Sequence, residues 1–148
     1  MVDHTQHEVR IVRTFSATPE EVFDAWIDAD ALMHWMVPIP GGKTKAELDP
    51  RVGGRYRIEM IGNGETYPHE GEYLRVERPH LLEFTWLSNA TKRERSVVTV
   101  ELRAIGEGAT ELTLTHKRLP SEDSVRSHEA GWNIGLTRLA DLVARKAY

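Results

Sequence analysis

Six side chains carry most of the chemistry this sequence can bring to an apolar space: Trp35, Tyr56, Trp86, His116, His128 and Trp132. Trp and Tyr join a large apolar body to one polar atom, so several of them around a cavity supply walls together with a few donors for a ligand. His116 and His128 titrate near neutral pH and add acceptors or proton carriers at the mouth of such a pocket. Each of the six also has a plainer reading, because aromatic residues on apolar faces usually just pack and most histidines are structural or superficial. Two carboxyls join the set. If their strand alternates strictly, Glu70 and Glu72 fall in phase with Leu74 and project inward, where burial raises a carboxyl pKa and suits a general acid or base. A solvated pair is the plainer reading here too, since a single strand bulge reverses the phase.

Other chemistries are poorly supplied. The chain has no cysteine, which removes thiolate nucleophiles, disulfides and zinc–cysteine sites. Its 7 histidines show no His-Glu-x-x-His or equivalent spacing, so neither a metal nor a cofactor is expected. Ser88, Ser96, Ser121, Ser124 and Ser127 lack the strand–turn–helix setting of a nucleophile elbow. Gly41-Gly-Lys43-Thr44 echoes the end of a phosphate loop but lacks the upstream glycine and leads into a strand. The 19 basic and 23 acidic residues are interspersed, leaving a net charge of -4 and no extended cationic surface for nucleic acid. The first residues lack the pattern of a signal peptide, and no stretch approaches the roughly 18 apolar residues of a membrane span. A cytoplasmic protein that does not insert into membranes is the expectation.

The elements that would position these residues follow from periodicity and punctuation. Glu8 to Phe15 reads as a strand with Val9, Ile11 and Phe15 on one face. Thr18-Pro19-Glu20-Glu21 then supplies a capping residue, a proline at the first helical position and a glutamate three residues after the cap. The helix it opens carries Val22, Phe23, Trp26 and Ile27, and Asp28 or Asp30 caps a second short one carrying Leu32, Trp35 and Met36. Pro38, Pro40, Gly41 and Gly42 end it. From Lys43 to His116, turn signals divide six short strands. Alternation places Tyr56, Ile58 and Met60; Leu74 and Val76; Leu82, Phe84 and Trp86; Val98, Val100 and Leu102; and Leu112, Leu114 and His116 on an apolar face. Arg55, Arg57, Glu83, Glu101, Arg103 and Thr113 fall on a wet one. After Pro120, Ser121 caps a helix running to the chain end, with Val125, Trp132, Leu136, Leu139, Leu142 and Val143 at helical spacing and Gly131 and Gly135 able to bend it or admit a strand.

With 148 residues, 40% of them hydrophobic, residues 1–148 fit one domain. The expected class is α+β: a helix-grip fold, in which a curved antiparallel sheet wraps a long C-terminal helix and two short helices follow the first strand. Ala17-Thr-Pro-Glu-Glu-Val-Phe-Asp-Ala-Trp26, Trp35, Asp49-Pro-Arg-Val-Gly-Gly-Arg-Tyr56, Gly71-Glu-Tyr73, Arg78-Pro-His-Leu-Leu-Glu-Phe-Thr-Trp86 and His128-Glu-Ala-Gly-Trp132 together resemble the START-related helix-grip superfamily. Within it, the chain is most similar to the bacterial branch of heat-shock-protein-90 ATPase activator homologues, from about Val9 to Tyr148. That resemblance implies a shared cavity put to many uses, among them lipid carriage, polyketide cyclisation and chaperone partnership. The eukaryotic activator adds an N-terminal domain that engages the chaperone, for which these residues leave no room.

The expected function is therefore non-covalent binding of a small apolar or amphipathic molecule between the sheet and the last helix. Trp35, Tyr56, Trp86 and Trp132 are its expected walls, with His116 or His128 as polar contacts. A cyclase or lyase using Glu72, His116 or His128 to shuttle protons is a second reading. The third is a chaperone-cofactor-like protein of the stress response, docking through the charged outer face of the sheet. An exposed strand edge would also permit a homodimer.

Overall fold

The computed structural model describes residues 7–144. Its elements are β1 (Val9–Phe15), α1 (Pro19–Trp26), α2 (Ala29–Trp35), β2 (Lys43–Leu48), β3 (Arg55–Gly62), β4 (Glu65–Glu77), β5 (Leu81–Trp86), β6 (Ser96–Ala104), β7 (Thr110–Lys117) and α3 (Glu122–Ala144). A short 3-10 turn at Asn89–Thr91 follows β5. This is the α+β, helix-grip order read from the sequence; the last four residues of the expected final helix lie outside the described ones. All strand pairings are antiparallel, in the order β1-β7-β6-β5-β4-β3-β2. The strands β1 and β2 are thus opposite edges, and α1 and α2 carry the chain from one edge to the other.

Local chemistry sets the helix boundaries. Thr18 Oγ1 accepts from the Glu21 N–H at 3.2 Å while the Thr18 N–H donates to Glu21 Oε1 at 3.1 Å, closing a reciprocal cap ahead of Pro19. Asp28 Oδ1 accepts from the Asp30 N–H at 2.9 Å at the start of α2. The end of α2 is tied to β2 by Thr44 Oγ1, which donates to the Met36 carbonyl at 2.7 Å. In α3, Ser124, His128, Trp132, Leu136, Leu139 and Val143 are buried at steps of three and four residues, one stripe facing the core. That helix runs unbroken through Gly131 and Gly135. Trp35, not a strand, lies over Gly135, with a ring carbon 3.5 Å from where a Cβ would stand.

Alternation predicts the faces of β3, β5, β6 and β7, whose inward residues are buried, including Tyr56, Trp86 and His116. In β4 it misleads. The β4–β5 register shifts between Tyr73, opposite Phe84, and Arg75, opposite Glu83, so Leu74 occupies the irregularity and drops out of the buried core. Upstream of the shift, Tyr73 sets the phase. His69 and Tyr73 are therefore buried, while Glu70 and Glu72 pair in register with Arg57 and Arg55 on the outer face. The inward projection considered for Glu70 and Glu72 is corrected by this bulge: Glu70 instead contacts Arg93 at 3.3 Å at the surface.

Candidate functional site

A file of aromatic rings fills the space between the sheet and α3. Trp26 meets Trp35 edge-on with centroids 4.7 Å apart and lies 5.8 Å from Trp132, which in turn is 5.2 Å from Trp86. From Trp86 the file continues at 6.3 Å to Phe84, which packs against Tyr56 at 5.6 Å and Tyr73 at 6.2 Å. Polar atoms fix several rings in place. Trp35 Nε1–H donates to the Ala25 carbonyl at 2.8 Å and locks α2 to α1. The Tyr56 hydroxyl donates to the Thr85 carbonyl at 2.6 Å, crossing Gly71, where a Cβ would stand 2.6 Å from the Tyr56 ring. Gly71 is required at that point because only a residue without a side chain lets the ring pass. Burial raises the Tyr56 pKa well above the usual tyrosine value, so the hydroxyl remains a donor.

His116 is wholly enclosed, and both its nitrogens are committed. Its Nδ1 accepts from Trp132 Nε1–H at 3.0 Å, which leaves the proton on Nε2, 2.7 Å from Ser96 Oγ. The Ser96 hydroxyl in turn donates to the Trp86 carbonyl at 2.6 Å. This relay joins α3, β7, β6 and β5 and holds His116 neutral; burial, then neighbouring His128, pushes its pKa well below the ordinary imidazole value. His128 stacks edge-on with it at 4.7 Å. The His128 Nδ1 is 2.7 Å from the Ser124 carbonyl oxygen, which can only accept, so the proton is on Nδ1 and Nε2 keeps its lone pair. Burial lowers this pKa too, against the pull of the Ser124 backbone. His69, its ring 4.8 Å from Trp86, is pushed down to about 4 by burial, against the raising effect of the Tyr67 and Ile58 backbone groups.

Where the file is not solid, it borders a partly open cavity of about 200 Å³. The end of α2 and the loop after it contribute Trp35, Met36 and Pro38, β3 contributes Met60, β4 His69, β5 Trp86 and the 3-10 turn Ala90. The remaining wall is one face of α3: Ser127, His128, Gly131, Trp132 and Gly135. No charged side chain lines it. A second space of about 210 Å³ shares Pro38, Met60, His69 and Ala90 and continues past Asn63, Tyr67 and Pro68.

The fold therefore gathers Trp35, Trp86, His128 and Trp132 on one cavity wall. Tyr56 and His116 are not on it. Tyr56 borders a cleft of only about 10 Å³ with Tyr73 and Phe84, and His116 sits behind Trp132 and His128. His69, Met36, Met60 and the two glycines of α3 are wall residues that the sequence reading did not select. Counting alternation back from Tyr73 instead of Leu74 would have turned His69 inward. The indole N–H of Trp86 and the Nδ1 of His69 are buried with no hydrogen-bond partner, unusual for polar atoms in a well-packed interior. Among the described residues no three His, Asp or Glu side chains converge as metal ligands, and no helix is long and apolar enough to cross a membrane.

Solved structures of the same shape come from distant sources. A protein from Chromobacterium violaceum is similar over 93% of this chain and 97% of its own, with 27% identity and a TM-score of 0.82. An HSP90 activator from Plasmodium falciparum is similar over 93% of this chain and 96% of its own, with 25% identity and a TM-score of 0.75. A protein from Arthrobacter aurescens matches in fold, covering 98% of this chain and 90% of its own at 21% identity and a TM-score of 0.82. No curated protein matches the chain. A family model described as activator of Hsp90 ATPase homolog 1-like protein spans residues 16–144, from just before the Thr18 cap to the last described turn of α3, and by that match the chain belongs to this family.

Proposed function

We propose that the protein binds a small apolar or amphipathic molecule, non-covalently, in the cavity between β5 and α3. The observation that carries this reading is an aromatic-walled space of about 200 Å³ between the sheet and α3 with no charged side chain in its lining. The walls are Trp35, Trp86 and Trp132, and His128 and His69 are the polar contacts. Tyr56 and His116 act through packing, by holding Trp86 and Trp132 in place. Native mass spectrometry of freshly purified protein, compared with the denatured sample, tests the reading. A discrete adduct that leaves on unfolding is expected. Absence of any adduct, together with a small-molecule panel that leaves Tm unchanged, would count against it.

A second reading rests on the family itself and on the similarity to an HSP90 activator. Here the outer sheet face, with Arg55, Arg57, Glu83, Glu101 and Arg103, docks a chaperone. Stimulation of an Hsp90 ATPase that disappears when Arg55 and Arg57 are changed to Glu would support it; no stimulation by the unmodified protein would remove it.

A further inference from the structure

Building on that cavity reading, we infer that its ligand is a neutral single-ring phenol whose hydroxyl donates to His128 Nε2. The acceptor is fixed by the protein. His128 Nδ1 is engaged by the Ser124 carbonyl at 2.7 Å, with Ser124 Oγ at 3.3 Å, and Nε2 makes no hydrogen bond among the described residues. The residue is only 7% exposed and forms part of the cavity wall, and its Nε2 is not among the fully enclosed unpaired atoms, so a molecule in the cavity can reach it. His116 cannot take this part, because Trp132 and Ser96 occupy both its nitrogens.

Three further features narrow the class. An ammonium or carboxylate would enter a wall without a single charged side chain, so the ligand is neutral. The indoles of Trp35, Trp86 and Trp132 favour a flat partner. Size agrees: an apolar cavity of about 150 Å³ holds benzene, and the space of about 200 Å³ leaves room for a ring with one or two substituents.

The test compares 4-methylphenol with 1,4-dimethylbenzene, molecules of equal heavy-atom count in which a hydroxyl replaces a methyl. Apolar transfer alone favours the hydrocarbon. Affinities from NMR titration of the full chain are expected to favour the phenol by about tenfold or more, and the preference is expected to vanish in His128→Leu. Should that variant not fold, the imidazole nitrogens of the unmodified protein decide. The His128 Nε2 resonance is expected at an unprotonated position in the free protein and is expected to move as the phenol saturates; an unmoved resonance overturns the assignment. If both molecules bind and the hydrocarbon binds as well or better, the hydroxyl assignment fails while the cavity reading stands. If neither binds, the single-ring phenol inference fails, and the cavity reading is decided separately by the adduct and panel measurements.

Discussion

The two ends of the aromatic file have similar residue types and opposite character. At the Tyr56 end, Tyr56, Tyr73 and Phe84 close to within a cleft of about 10 Å³, and the hydroxyl of Tyr56 is paired with the Thr85 carbonyl. At the Trp86 end, three tryptophans and two histidines surround about 200 Å³ and leave polar atoms unpaired. The difference lies in what faces the rings. Gly71 is overlaid by the Tyr56 ring, so its missing side chain is already filled. Gly131 has only Pro38 near it, 3.9 Å from where a Cβ would be, and its missing side chain leaves space. Aromatic content alone does not make a binding site; small residues without a ring above them do.

The sharpest contrast between the ends comes from acid, since all three buried histidines border the Trp86 end. Their pKa values lie below the ordinary imidazole value, His69 at about 4, so below about pH 6.5 the unfolded chain binds more protons than the folded one. The stability they confer is full above that pH and declines as pH falls toward about 4, by up to ~1.4 kcal/mol per pH unit for each histidine that stays neutral. Chemical denaturation at pH 7 and pH 5 is expected to show a large loss, and His69→Leu to flatten the slope; equal midpoints at the two pH values would contradict the histidine account.

Next in size is Gly71→Ala. Its new methyl would collide with the Thr85 carbonyl and the Tyr56 ring, at a cost of about 3 kcal/mol or failure to fold. Tyr56→Phe is milder: it strips the Thr85 carbonyl of its donor and should cost about 1–3 kcal/mol with ligand affinity unchanged. The smallest effect has the opposite sign. Gly131→Ala adds a methyl in ordinary contact on a helix and should stabilise by up to about 1 kcal/mol, while narrowing the cavity enough to weaken ligand binding. If Gly71→Ala and Gly131→Ala shift the denaturation midpoint alike, the contrast between a filled and a hollow end is mistaken.

Much of this architecture is legible in the chain because its signals are local. The Thr18–Glu21 cap, the alternation in β3, β5, β6 and β7, and the helical spacing of Trp132, Leu136, Leu139 and Val143 each sit within one element, and the structure uses them as read, with Val125 and Leu142 only partly buried at the margin of that stripe. The site is less legible because its determinants are long-range. The β4 phase depends on how Tyr73 and Arg75 pair with β5, which decides between a count from Tyr73 and one from Leu74; the count from Leu74 leaves His69 unnoticed and turns Glu72 inward. His116 looks like a pocket residue until Ser96 and Trp132, 20 and 16 residues away, are seen to take both nitrogens. The hollow itself is written in small residues, Ala90 and Gly131, which carry no chemical signal of their own.

The most direct test of the account is a crystal of the protein pressurised with xenon, which seeks out accessible apolar space. Xenon density is predicted between Trp35, Trp86 and Trp132, with none among Tyr56, Tyr73 and Phe84. An empty Trp86 end, or equal xenon at both ends, would contradict it.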